Sequence, residues 1–127
     1  MKGIAVHTRF QNFLYSNKSN EARTLGSLAN TYRNDEQYEK AIELYQQSLS
    51  IKREISDRQG MPMTLKNLAK LYQMLGKLDL ARDYCQQAID LAIELGIPLA
   101  AECEKLLLKI DRANDQVGDE SGIQGED

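Results

Sequence analysis

Apolar residues recur along this chain at helical spacing. Leu25, Leu28, Ala29 and Tyr32 fall at i, i+3, i+4 and i+7, one stripe of an amphipathic helix over residues 21 to 33. Asn34 and Asp35 interrupt the pattern. Ala41, Leu44, Tyr45, Ser48, Ile51 and Ile55 then trace a second stripe to about residue 56, so the pair predicts an αα-hairpin. Forty residues later the plan returns position by position: Leu25, Leu28, Ala29, Tyr32 and Ala41 recur as Leu65, Leu68, Ala69, Tyr72 and Ala81. The second copy predicts a helix from about Gly60 to Leu75, a turn at Gly76, and a helix to Leu95 that Gly96 and Pro98 stop. Pro62 falls in a first helical turn, where its missing N–H has no intrahelical partner.

Beyond Pro98, Leu99, Cys103, Leu106, Leu107 and Ile110 mark one more helix, in phase with the earlier first helices if two linker residues are lost. No stripe for a partner helix follows. Self-similarity at this period points to an all-α solenoid whose units bury their faces on one another. The expected organisation is repeat one at 21–60, repeat two at 61–97 and a terminal helix at 98–112, a solenoid over 21–112. Residues 1–20 do not match the repeat. Val6, Phe10, Phe13 and Leu14 suggest a short capping helix there, a polar link Ser16–Asn20 follows, and Ser19 or Asn20 would cap the next helix. Residues 113–127 hold too few large aliphatics to offset the entropy of ordering, which predicts a disordered acidic tail.

Charge changes the picture in one respect. The chain carries −3 overall, but residues 112–127 hold five acids against Arg112, so the repeats are nearly neutral. That balance argues against a nucleic-acid binder, which needs a strong basic excess. No apolar run reaches membrane-spanning length, and His7, Arg9, Gln11 and Asn12 break any signal-peptide core, so a cytoplasmic location is expected. Cys85 and Cys103 lie in helical stripes without neighbours at metal-ligand spacing and read as buried small hydrophobes. His7 has no nucleophile or acid placed beside it, and phosphate-loop, dinucleotide and zinc-hydrolase motifs are absent from the sequence. No catalytic, cofactor or metal residue is therefore assigned, and the expectation is a non-enzyme. Tyr32, Tyr45 and Tyr72 belong to the core, leaving Tyr38 and Tyr84 partly exposed.

The two copies resemble the tetratricopeptide repeat. Leu25, Leu28, Ala29, Tyr32, Ala41, Tyr45 and Ser48 fill its pattern in repeat one, and Leu65, Leu68, Ala69, Tyr72, Gly76, Ala81, Cys85 and Ala88 fill it in repeat two. The resemblance covers residues 21–96 and implies a right-handed solenoid of about two and a half helix-turn-helix repeats. The 40-residue period is similar to the long-repeat variety found in kinesin light chain-type and bacterial arrays. It also implies a scaffold or adaptor that binds a protein or peptide in a concave groove lined by each repeat's first helix. The groove residues it indicates are Arg23, Asn30, Arg33, Asn34, Met63, Lys66, Lys70 and Gln73, with Glu104 and Leu108 of the terminal helix near one end. Four of the first eight are cationic and none is acidic, which favours an acidic ligand. Asn30, Lys66 and Lys70 match the later part of the pattern by which chaperone-binding members hold a peptide's C-terminal carboxylate, whereas the first-repeat pair has no counterpart. The alternative is a self-associating homo-oligomeric unit, or a fragment of a longer scaffold, because so few repeats leave apolar ends.

Overall fold

The computed structural model describes the backbone of residues 2–126 and the side chains of residues 7–116. Five helices account for most of it: α1 (Lys2–Asn34), α2 (Tyr38–Glu54), α3 (Met61–Met74), α4 (Leu78–Leu95) and α5 (Ala100–Glu126). No strand occurs among the described residues. The chain divides into two compact units at Gly60. In the first, α1 packs on α2; in the second, α3 packs on α4, α4 on α5, and α3 also touches α5.

The predicted stripes are the ones that pack. Ala29 and Ala41 are fully buried in the first unit, as are Ala69 and Ala81 in the second, and these small side chains let each pair of helices approach closely. Tyr45 and Leu65 fill the space beside them at 2% exposure or less. Tyr72 is buried and Tyr32 half-buried. Tyr72 stacks on the half-buried Tyr84, ring centroids 5.4 Å apart, so Tyr84 packs on the α3–α4 pair. Cys103, Leu106 and Ile110 of α5 are buried like Leu65, Leu68 and Tyr72 of α3, which supports the register with two residues lost.

The turns repeat bond for bond. Glu36 N–H bonds to the Arg33 carbonyl and Gln37 N–H to that of Tyr32; Gly76 and Lys77 make the same bonds to Gln73 and Tyr72. Ser56 and Asp57 close α2 through Arg53 and Lys52, as Gly96 and Ile97 close α4 through Ile93 and Ala92. These are Schellman motifs, which require a left-handed residue after the helix. Gly76 (φ 74°) and Gly96 (φ 68°) supply it in one copy, Glu36 (φ 61°) and Ser56 (φ 57°) in the other.

At the N-terminal end the structure departs from the expected short helix and polar link. Residues 2–34 form one continuous helix, and Ser19 and Asn20 lie inside it rather than at a cap. Ser16–Asn20 contains no glycine or proline to stop helical hydrogen bonding, Thr24 returns its hydroxyl to the Asn20 carbonyl at 2.9 Å, and Lys18 pairs with Glu54 of α2. That pair and Ser48, whose hydroxyl donates to the Ala22 carbonyl at 2.7 Å, hold α1 against α2. At the other end, α5 starts at Ala100 and its helical backbone continues through 113–126, where composition predicts a tail. Residues 113–116 lack glycine and proline, so nothing local interrupts the helix there. The acidic side chains beyond residue 116 lie outside the described residues.

Candidate functional site

Lys66 and Lys70 are one turn apart on α3, flanking the buried stripe of Leu65, Leu68, Ala69 and Tyr72. Lys105 and Lys109 have the same spacing on α5 and flank Leu106, itself 7% exposed. Residues four apart share a helix face. Because α3 and α5 adjoin, the two lysine pairs line one open cleft of about 350 Å³ in the second unit, together with Glu102 and Leu106. The cleft therefore has four cations, one acid and an apolar residue at its base.

The acid is engaged. Lys66 Nζ donates to Glu102 Oε2 at 2.6 Å, from a lysine side chain only 12% exposed to a glutamate 63% exposed. That hydrogen bond, with the charge of Lys66 and then of Lys70 and Lys105, holds the Glu102 carboxyl below its ordinary range. Lys70, Lys105 and Lys109 have no hydrogen-bonded acid among the described residues. Elsewhere in the second unit, Arg82 Nε donates to Asp111 Oδ1 at 2.9 Å and Cys85 Sγ donates to the Cys103 carbonyl at 3.1 Å, fastening α4 to α5. Both cysteines are fully buried, and burial pushes the Cys85 thiol up to about 11 and raises that of Cys103.

Of the eight groove residues inferred from sequence, the cleft takes in Lys66 and Lys70. Met63 is 50% exposed and Gln73 half-buried on the same helix, but neither lines it. Arg23, Asn30, Arg33 and Asn34 belong to α1 in the first unit. Asn30 accepts the Tyr45 hydroxyl through Oδ1, while Asn34 borders a hollow formed with Leu28, Thr31, Tyr32 and Asp35. Burial raises the Tyr45 phenol and the nearby Arg33 charge opposes this. Two of the three residues that match a carboxylate-holding pattern, Asn30 and Lys66, thus already have intramolecular partners.

Glu104 and Leu108 do not line the cleft; Glu102, Lys105 and Lys109 do. Aligning α5 with α3 makes Glu104 and Leu108 the counterparts of Lys66 and Lys70, whereas the residues that share the cleft with those lysines lie on the other flank of α5. A helix has two flanks beside its buried stripe, and the one that meets α3 carries the other set. The i, i+3, i+7 spacing of Glu102, Lys105 and Lys109 showed that they share a face, but not that α3 lies across from it.

Among the described residues, no group of His, Cys, Asp and Glu side chains is arranged to hold a metal ion, and no helix is long and apolar enough to cross a membrane. A family model for the tetratricopeptide repeat matches residues 20–94, more than half of the chain. This chain belongs to the tetratricopeptide repeat family. The match takes in repeat one and most of repeat two, from the inner half of α1 through most of α4. A search of the curated proteins found no match. Membership makes a protein-protein interaction module the general role, and such repeats are generally non-enzymatic.

Proposed function

We propose that this tetratricopeptide repeat protein is a non-enzymatic adaptor that binds an acidic peptide segment of a partner protein. The observation that carries this reading is the α3–α5 cleft, where three lysines without a hydrogen-bonded acid surround an apolar base. Clustered like charges repel one another, and an anionic ligand relieves that repulsion while gaining its own pairing. The 40-residue period supports assignment to the long-repeat variety similar to kinesin light chain-type arrays, and the sequence favours a cytoplasmic setting.

Fluorescence anisotropy with an acidic peptide pool tests the reading. Wild-type protein is expected to bind with an affinity that falls as salt rises, and Lys70→Glu/Lys109→Glu to lose that binding. Equal, salt-independent binding by the variant would overturn it.

Self-association is the second reading, favoured by the N-terminal part of α1. There Phe10 is 56% exposed, Phe13 61% and Tyr15 48%, on a helix of 33 residues whose partner α2 has 17. Light scattering across a concentration series separates the two, since a concentration-independent monomer excludes a homo-oligomeric role.

A further inference from the structure

Each terminal helix outruns its partner. Lys18 pairs with Glu54, the last residue of α2, so residues 2–17 of α1 extend past that helix, about 24 Å at 1.5 Å per residue. At the other end, the step along α5 from Cys103 to Asp111 runs back along α4 from Cys85 to Arg82, one turn from the start of α4. The helical backbone of α5 beyond about Asp115 therefore runs past the first residue of α4. The two overhangs carry opposite charge. Residues 1–20 contain Lys2, Arg9 and Lys18 and no acid, whereas residues 113–127 contain Asp115, Asp119, Glu120, Glu126 and Asp127 and no base. Neither charge serves its own helix. A helix is partly positive at its N-terminal end and partly negative at its C-terminal end, so acids stabilise the first turn and bases the last. α1 has no acid in its first turn and α5 no base in its last.

We infer that the basic head of α1 docks on the acidic tail of α5 from a second copy of this chain. This head-to-tail contact rests on the self-association reading above and adds which surfaces meet. The head offers apolar area as well as charge, since Phe10, Phe13 and Tyr15 are exposed. On the tail side, Leu108 is exposed and Leu107 half-buried, on a flank of α5 that does not line the lysine cleft. Glu104 and Asp115, one turn before and two turns after Leu108, share its face and surround it with acids. Two heads brought together repel, and so do two tails. Only head against tail sets opposite charges around an apolar contact, and it also sets the positive end of one helix near the negative end of the other. The contact joins unlike surfaces, so every copy carries both halves of it.

Sedimentation velocity of the full chain, over a concentration series at low and high salt, tests this with two variants. The head variant is Arg9→Gln/Phe10→Gln/Phe13→Gln, and the tail variant is Asp115→Asn/Asp119→Asn/Glu120→Gln/Glu126→Gln. Wild type is expected to self-associate with an affinity that falls as salt rises. Each variant alone should associate about tenfold more weakly, the scale of a few exposed ion pairs. An equimolar mixture of the two should form a complex that neither forms alone, because the head variant keeps its tail and the tail variant keeps its head. A tail variant that associates as strongly as wild type, or a mixture that forms no complex, would overturn the head-to-tail inference while leaving self-association through α1 alone intact. Association kept by the head variant but lost in Lys70→Glu/Lys109→Glu would put the tail in the lysine cleft and overturn it too. A wild-type monomer at every concentration would overturn the self-association reading itself.

Discussion

The two repeats make the same turns with different residues. Where the second places Gly76 and Gly96 in the left-handed conformation, the first places Glu36 and Ser56, each 40 residues earlier and with the same backbone hydrogen bonds. Burial differs as well: Leu68 is fully buried, whereas Leu28 at the matching position is 43% exposed. Part of the reason is that the second unit has a third helix, α5, packed on α4 and touching α3. The flanking positions diverge most in chemistry, since Lys66 and Lys70 correspond to Gly26 and Asn30. The repeat pattern is thus a specification for a hairpin. It leaves open how much of that hairpin is covered and what its flanks can bind.

Truncation should expose the burial difference most strongly. Leu68→Ala is expected to cost about 2–5 kcal/mol, the range for emptying a packed aliphatic site. Leu28→Ala should cost roughly 1 kcal/mol, because much of that side chain is already in water. Urea unfolding of the two variants checks this, and equal losses would mean that the two positions are packed alike in solution.

The turns come next. Gly76→Ala and Gly96→Ala should each destabilise by about 1–2 kcal/mol, because a Cβ is strained at positive φ even though no neighbouring atom obstructs it. The reverse changes, Glu36→Gly and Ser56→Gly, should raise stability by up to about 1 kcal/mol each, as relief of strain outweighs the extra freedom of glycine in the unfolded chain. Midpoints of thermal unfolding decide it; a loss on Glu36→Gly would show that the first turn carries no such strain.

An effect absent at neutral pH concerns Tyr45 and Cys85, which occupy equivalent positions. Burial raises both groups, the thiol to about 11. A raised acid favours the fold while it is protonated. For Cys85 that contribution is complete below the unfolded thiol's value of about 8.5 and is lost as pH climbs toward its folded value. Stability should therefore decline between those limits, and Cys85→Ala should flatten that part of the pH profile. An unchanged slope in the variant would assign the decline to other groups, Tyr45 among them.

Much of the architecture was legible in the chain because a helix that buries one face must repeat apolar residues every three or four positions. The 40-residue phase, the small residues at helix contacts, the two glycine turns, Pro62 in a first turn and the buried cysteines all follow from that demand. Lys66 and Lys70 were legible as cations beside the stripe of a first helix. The uninterrupted α1 was not, because Ser, Asn and Lys are weak punctuation that neighbouring contacts such as Lys18 with Glu54 can override.

The sequence by itself determined the periodic core, since local pattern and burial are the same requirement seen along the chain and across it. Only the tertiary structure decided which flank of α5 meets α3, and hence that Lys105 and Lys109 join Lys66 and Lys70 while Glu102 answers one of them. The physical reason is that flanking residues are solvated and chemically unconstrained until another helix lies across from them, so their meaning depends on an arrangement of helices that no local pattern records.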